Sequence, residues 1–273
     1  MQKVDLVINC WEKNYRKVCN GKFIDRVINY NQYKFKNVFI LVNNVKNKNS
    51  IIKKLDSLTI KKKIDEYFFV KDYIKRANEI SGLTKDDYKR VENYINWALC
   101  IPIISRSEYV LHWDPDVDMI IEGNWISDSI KQMKNDSNII AANPSWDREY
   151  GLRKHESFKE DKFFFYTHDF SDQVYLIRRV DFLKPIYKYW HIYSLRCPLA
   201  HIGSTYEKRV DGYMKRKNKI RITHKKAVYH HPDDSGHSYP AMSIVDIIKH
   251  YVFMVLITIY SFFVFKLLKK CTK

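Results

Sequence analysis

The sequence predicts an α/β fold with a mostly parallel sheet flanked by helices. Five short, almost entirely apolar runs are typical of strands that are buried on both faces. They alternate with longer segments whose apolar residues recur at helical spacing, and this alternation indicates βαβ crossovers between parallel strands. Side chains that follow the strands are therefore expected to form the ligand site. The predicted strands are Val4 to Ile8, Val38 to Val42, Tyr67 to Val70, Tyr109 to Trp113 and Ile139 to Ala142.

Three of the intervening segments have the spacing of amphipathic helices. From about Ser145 the pattern becomes less regular, and we interpret the chain up to residue 240 as the second half of the same domain. The predicted organisation is one domain over residues 1–240, with halves 1–145 and 146–240, and a hydrophobic segment over 241–273. The helical positions are Ile51, Leu55 and Leu58, then Tyr88, Val91, Ile95 and Ala98, then Ile126, Ile130 and Met133.

Composition excludes several classes of protein. The 273 residues are 45% hydrophobic and 29% charged, which argues against a disordered chain, a collagen-like fibre and a polytopic membrane protein. The 48 Lys and Arg exceed the 31 Asp and Glu by 17 charges, so anionic partners are favoured: nucleic acid, anionic lipid or phosphate-bearing ligands. The five cysteines form no CxxC pair and no zinc spacing, and we interpret them as reduced thiols of a cytoplasmic domain.

A hydrophobic segment near the C-terminus predicts membrane association. Tyr251 to Phe265 holds no charge, and the segment extends to Leu268 if Lys266 snorkels. The resulting 18 residues would span ~27 Å as a helix, just under the ~30 Å hydrocarbon core. A tail anchor, a re-entrant helix, a helix lying in the interface and a buried core helix remain open. The basic or titratable flanking residues are Lys249, His250, Lys266, Lys269 and Lys270.

Three carboxylates follow the fourth predicted strand. Asp114, Asp116 and Asp118 alternate along the chain, so in an extended segment their side chains point to the same side. Pro115 favours an extended conformation at the residue before it. Three converging carboxylates repel one another unless a cation neutralises them, which indicates a divalent metal. A polar turn in which Asp114 caps the next helix is the alternative.

Over residues 4 to 235 the sequence resembles the GT-A glycosyltransferases, especially family 2, in the order of its motifs: strands, a DxD, an acidic helix and His-His-Pro. The resemblance implies a single GT-A-like (Rossmann-like) domain, with nucleotide-sugar binding in residues 1–145 and acceptor binding in 146–240. It implies that the DxD motif binds Mn²⁺ or Mg²⁺ on the diphosphate of the donor. Asp116 would be the direct ligand and Asp114 would lie nearer the ribose or sugar. Asp118 forms a second DxD with Asp116, so the register stays open.

The same resemblance assigns further donor and substrate contacts. Asn9 and Trp11, at the end of the first strand, are candidates for the nucleotide. Asp172 and Gln173 correspond to the segment that faces the donor sugar and the acceptor. Of the two arginines that follow, at most one can reach a phosphate because they alternate along a strand, and Arg178 is the candidate.

Two later motifs complete the candidate site. Glu207 and Asp211 lie four residues apart, on one face of a predicted helix, and resemble the acidic element that supplies the general base; Glu207 is preferred over Asp211. An ordinary helical face with charge pairing is the alternative. His230 and His231 follow a short strand, and alternation lets only one of them face the site. We favour His230 as an additional metal ligand, which would suit Mn²⁺.

The expected activity is metal-dependent, inverting transfer of a sugar from a UDP- or GDP-sugar to a hydroxyl of a glycan or lipid-linked acceptor. A nucleotidyltransferase or a metal-dependent phosphohydrolase is the alternative, and a basic nucleic-acid-binding protein is a further one. No nucleic acid is expected as a partner, because no zinc-finger or RRM signature occurs. The chain is expected at a membrane surface with its catalytic domain in the cytoplasm. Residues 233–238 are interpreted as a lid.

Overall fold

One mixed sheet dominates the computed structural model, which describes residues 2–147, 151, 154, 156–232 and 241–263. Its described strands run in the order β3-β2-β1-β4-β9-β6-β10-β8-β7, and β5 pairs with β10 outside this path. The strands are β1 (Val4–Cys10), β2 (Asn37–Val42), β3 (Glu66–Phe69), β4 (Tyr109–Trp113), β5 (Asp118–Ile121), β6 (Ile139–Trp146), β7 (Lys159–Glu160), β8 (Phe164–Thr167), β9 (Val174–Arg178) and β10 (Ile220–His230).

Helices pack on both faces of this sheet. The described α-helices are α1 (Tyr15–Val18), α2 (Gly21–Asn31), α3 (Lys48–Ile60), α4 (Val70–Ser81), α5 (Asn96–Ile104), α6 (Trp125–Asn135), α7 (Arg179–Phe182), α8 (Tyr206–Arg216) and α9 (Ile244–Ser261). Helices α2, α3 and α6 contribute to the apolar layer on one face, whereas α4, α5 and α8 contribute to the layer on the other. The ends of the strands therefore lie between these two apolar layers.

All five strands predicted from apolar runs are present. Strands β3, β2, β1 and β4 are parallel, as the βαβ pattern predicts. Strand β9 then enters antiparallel between β4 and β6, so the sheet is mixed rather than parallel throughout. Strand β10 runs parallel to β6. Consequently β1, β2, β4, β6 and β10 all end at the same edge, and β9 begins there.

One predicted helix is interrupted. The segment from Tyr88 to Ala98 was expected to form a continuous amphipathic helix, but it holds a 3₁₀ segment, Lys89–Tyr94, and only then α5. Val91 has φ −126° and ψ 27°, and Ile95 has φ −143°, so neither continues an α-helix. The side chains of Val91 and Ile95 are nevertheless buried. The apolar spacing therefore predicted their burial correctly, but the prediction of a continuous helix was wrong.

The hydrophobic segment near the C-terminus forms α9 over its described part. Ser243 caps this helix, and the Asp246 carboxylate accepts from the Ser243 backbone N–H in return. By length and mean hydropathy, 1.6 over 18 residues, α9 is a candidate membrane span, and only 6% of it is buried. The lid assigned to residues 233–238 and the basic residues 266, 269 and 270 lie outside the described residues.

Candidate active site

A cleft of about 340 Å³ opens at the edge where the parallel strands end. Its volume falls in the range of small-molecule sites. Its walls come from the ends of β1, β2, β4, β6 and β10, from the start of β9, and from the start of α8. The lining residues are Asn9, Trp11, Asn14, Asn43, Asn44, Asn93, Tyr94, Trp97, Asp114, Asp116, Trp146, Asp172, Gln173, Pro198, Leu199, Thr205, Glu207, His231 and Pro232.

The end of β1 is held by a buried polar pair. The Oδ1 of Asn9 accepts a hydrogen bond from the His112 Nε2, 2.9 Å away. The imidazole lies between the rings of Trp97 and Tyr175, with centroids at 4.6 and 4.8 Å. Burial lowers the pKa of His112 to about 3, so the ring is neutral at physiological pH. A neutral His112 therefore fixes the orientation of Asn9 at the floor of the cleft.

The first two DxD carboxylates enter the cleft together with the start of β9. The Asp114 carboxylate accepts from the backbone N–H of Asp116 at 2.8 Å, and the Asp114 N–H donates to the Gln173 carbonyl at 2.9 Å. Burial and the nearby Asp114 carboxylate raise the pKa of Asp172 to about 7. Tyr229 holds Gln173 by donating to its Oε1 at 2.8 Å. The result is a concentration of negative charge that favours a bound cation.

Asp118 lies outside this cleft. It begins β5, where its Oδ1 is 3.3 Å from the Arg26 guanidinium and accepts from the Tyr30 hydroxyl at 3.4 Å. The backbone turn at Asp114 and Asp116 ends the alternation on which the three-carboxylate prediction depended, because Val117 N–H donates to the Asp114 carbonyl. The arrangement corresponds to the Asp114/Asp116 register rather than to Asp116/Asp118.

The histidine preference has to be corrected. His231 is among the residues that line the cleft, and its Nδ1 lies 2.9 Å from the Pro232 carbonyl. His230 instead lies with its Nδ1 2.9 Å from an Asp147 carboxylate oxygen, outside the cleft. Alternation along β10 separates the two side chains as predicted, but it gives no information on which of them faces inward.

Arg178, which was expected to contact the donor phosphates, does not line the cleft. It pairs with Tyr109, the first residue of β4, and therefore lies at the opposite edge of the sheet from Asp114. Its guanidinium donates to the carbonyl of Ile139 at 3.2 Å and pairs with Asp181 at 3.1 Å. These contacts join β9 to β6 and α7, so we do not retain Arg178 as a donor-binding residue.

Glu207 and Asp211 occupy different environments on α8. Glu207 lies in the first turn, after the capping residue Thr205, and lines the cleft. Asp211 is fully buried behind it, 2.6 Å from the Lys215 ammonium. It also accepts hydrogen bonds from the Ser194 hydroxyl and from the backbone N–H of Phe170. Glu207 can therefore reach a substrate, whereas Asp211 holds the helix against the domain.

Several lining residues were not predicted. Asn43 and Asn44 follow β2 directly, and Trp146 ends β6, so the rule that ligand residues follow strands would have found them. The Asn43 amide donates to Asn96 Oδ1 at 3.1 Å, and the Asn44 amide donates to Asn93 Oδ1 at 2.5 Å. The positions of Asn43 and Asn44 could thus have been predicted, but their partners Asn96 and Asn93 could not, because these residues are about 50 positions away in the sequence.

The described residues hold no group of three or more His, Cys, Asp and Glu side chains close enough to bind a metal by themselves. This still fits Mn²⁺ or Mg²⁺ on a nucleotide, because such an ion is usually held by one or two carboxylates while phosphate and water oxygens complete its shell. The charge on Asp114, Asp116 and Asp172 suits a cation, and the His231 imidazole in the same cleft suits Mn²⁺.

No family model matches this sequence, and no curated protein sequence matches it. The fold is similar to that of GalNAc-T7 solved with UDP, GalNAc and Mn²⁺, at a TM-score of 0.50 and 8% identity, over 85% of this chain and 44% of that one. It is also similar to the mannosyltransferase PcManGT from Pyrobaculum calidifontis, solved with GDP-Man and Mn²⁺, at 0.51 and 10% identity, over 93% and 64%. The predicted GT-A-like fold is confirmed. This chain spans 44% of the length of the first protein and 64% of the length of the second.

Proposed function

We propose that this protein is a metal-dependent glycosyltransferase that uses a nucleotide-diphosphate sugar. The observation that carries the proposal is the cleft at the strand ends of a GT-A-like fold, in which Asp114, Asp116 and Asp172 face the same space as Glu207. Both similar structures were solved with a nucleotide and Mn²⁺, which supports this class of donor. UDP- and GDP-sugars are the candidates for this chain.

Within this proposal, Asp116 binds Mn²⁺ or Mg²⁺, and His231 takes the role first assigned to His230. The metal, when bound, offsets the negative charge of the diphosphate leaving group. Asn9 and Trp11 contact the nucleotide, and Asp114 lies towards the ribose or sugar. These positions agree with the cleft lining.

The same cleft supports roles on the acceptor side. Asp172 and Gln173 contact sugar hydroxyls, since both side chains line the cleft and both carry oxygens that accept hydrogen bonds. Glu207 is the general base that takes the proton of the acceptor hydroxyl. A single displacement with one base would invert the anomeric centre. The acceptor is a glycan or a lipid-linked molecule, and α9 associates with a membrane.

The alternative of a phosphohydrolase or nucleotidyltransferase would use the same cleft, with Asp114, Asp116 and a histidine, so these residues do not separate the two functions. Two-metal phosphoryl transfer needs several carboxylates around metals ~4 Å apart. The described residues offer no such cluster.

Thermal melting of the full chain in mild detergent tests the proposal. UDP, GDP, CMP, TDP and ATP are each added with and without Mn²⁺. A ligand at 100 times its Kd stabilises a protein by about 2.7 kcal/mol, which raises the Tm of a domain this size by roughly 5–10 °C. We expect one nucleoside diphosphate to do so only with Mn²⁺.

Two matched variants make the test specific to the site. Asp116→Asn should abolish the metal-dependent shift, whereas Asp118→Asn should retain it, because Asp118 lies outside the cleft. Both carboxylates are half-buried, so neither change should greatly alter the melt without ligand. Stabilisation by no nucleoside diphosphate, or equal loss in both variants, would contradict the proposed site.

A further inference from the structure

Helix α9 exposes most of its apolar surface, yet one narrow stripe faces the catalytic domain. Phe253, Ile257 and Tyr260 are half-buried and recur at spacings of four and three, as one face of a helix does. The neighbouring positions are open: Val252 is 49% exposed and Val255 is 58% exposed. An apolar helix with a single covered stripe needs a second apolar environment for its remaining surface.

The stripe is docked at both ends. At the start of α9, the Arg90 guanidinium donates to both carboxylate oxygens of the fully buried Asp246, at 2.8 and 2.6 Å. At its end, the Tyr260 ring lies 5.6 Å from the rings of His191 and Tyr193. The docked length from Asp246 to Tyr260 covers 15 residues, and the 14 steps between them correspond to about 21 Å of helix.

Charged or polar side chains of the domain thus contact α9 near its start, its middle and its end. Lys208, in the middle of this contact, has its ammonium 5.8 Å from the Phe253 ring. If α9 crossed a bilayer in this arrangement, the charged groups of Arg90 and Lys208 would enter the hydrocarbon with it, which is costly. In a helix that lies in the interface, one face is polar and the other is buried among lipids. Here the catalytic domain supplies the polar side.

An aromatic and basic rim, made of Tyr189, Trp190, Arg216 and Lys217, lies near the end of α9. Trp190, next to the docked His191, is 52% exposed, and its carbonyl accepts from the Arg216 Nε at 2.9 Å. The Lys217 ammonium lies 5.2 Å from the centre of the Tyr189 ring. Exposed Trp and Tyr beside Lys and Arg are typical of surfaces that contact anionic lipid head groups.

We propose that α9 lies in the plane of an anionic membrane interface while it stays docked on the catalytic domain. This inference rests on the proposed membrane association and decides between spanning and lying on the bilayer. It also places the cleft at the membrane surface: Leu199 lines the cleft, and two residues later the His201 Nε2 is 3.4 Å from the Met242 sulfur, just before α9. An acceptor hydroxyl on a membrane lipid would then reach Glu207 without leaving the interface.

Depth measurements with spin labels test the orientation. Cysteines are introduced singly at Val245, Val252 and Ile259, exposed positions seven residues apart that share one face. The background is the full chain with Cys19 and Cys271 replaced by serine. In phosphatidylcholine vesicles with phosphatidylglycerol, we expect all three labels at similar depths of about 5–10 Å. A middle label about 10 Å deeper than both others would indicate a spanning helix and overturn the proposal.

Charge-reversal variants test the rim. The double variant Arg216→Glu/Lys217→Glu should bind anionic vesicles about tenfold or more weakly. Lys61→Glu/Lys62→Glu is the matched control, since it makes the same charge change at the end of α3 on the opposite face of the sheet, and it should bind within about twofold of the unmodified chain. If both double variants bind the vesicles equally weakly, net charge alone explains the loss, and the proposed contact between the rim and the membrane is refuted.

The Mn²⁺-dependent nucleotide shift is measured on the same samples. If that shift is present while the label depths vary as in a spanning helix, only the interfacial inference fails. If the shift is absent while the labels are uniformly shallow, only the proposed catalytic function fails.

Discussion

Glu207 and Asp211 are one turn apart on α8, but substitution of Glu207 should lower activity whereas substitution of Asp211 should lower stability. Glu207→Gln removes a carboxylate that lines the cleft and is half-buried, so we expect little change in stability. Loss of a general base should lower kcat by about 10²–10⁴-fold. Donor binding should persist, because the glutamine keeps the size of the side chain.

Asp211→Asn should act on folding instead. The fully buried carboxylate is 2.6 Å from Lys215 and 3.9 Å from Arg196, and both cations lose a partner when it becomes neutral. Removing one partner of a buried ion pair costs about 3–5 kcal/mol. For a domain of this size, that corresponds to a fall in Tm of roughly 6–20 °C.

The assay combines sugar transfer with thermal melting on both variants and the unmodified chain. The donor is the nucleotide sugar whose diphosphate passes the melting screen. Asp211→Asn is assayed well below its own Tm, so that unfolding does not imitate a catalytic defect. The reasoning is refuted if Glu207→Gln lowers the Tm as much as Asp211→Asn, or if Asp211→Asn loses turnover with an unchanged melt.

Three further outcomes are expected. His231→Ala should weaken Mn²⁺-dependent nucleotide binding about tenfold or more, whereas His230→Ala should leave it unchanged; titration of Mn²⁺ at fixed nucleotide distinguishes them. Burial lowers the pKa of His112 to about 3 in the folded chain, so between pH 6.5 and 3 the unfolded chain binds a proton that the folded chain does not. Lowering the pH through this range should therefore reduce the free energy of unfolding by up to about 1.4 kcal/mol per pH unit. Urea unfolding of His112→Gln should show a shallower pH dependence, and an identical slope would count against a buried neutral ring. Gly212→Ala should lower the free energy of unfolding by about 1–3 kcal/mol, because its Cβ would lie 2.8 Å from a backbone carbonyl oxygen, while Gly123→Ala, which meets nothing within 4 Å, should be close to neutral.

The sequence by itself determined the α/β class and the edge at which the site lies. Buried parallel strands must be apolar on both faces, so β1, β2 and β4 are visible as uninterrupted runs. Because ligand sites of such sheets lie where the strands end, Asn9, Asp114 and Asp116 could be expected near one another, and all three line the cleft. Periodicity was a weaker guide where backbone conformation and burial diverge, as at Val91, whose side chain is buried in a segment that is not α-helical.

Tertiary structure decided which side chains share the cleft. Alternation along β10 separates His230 from His231 but leaves the inward one unspecified, since that depends on how the strand pairs with β5 and β6. Glu207 was preferred as the base, but Asp211 stayed open as the alternative until its buried contact with Lys215 was known. Arg178 could be excluded only once the antiparallel pairing of β9 with β4 placed it at the far edge of the sheet. Each of these choices depends on contacts between residues distant in the chain, and local spacing carries no information about such contacts.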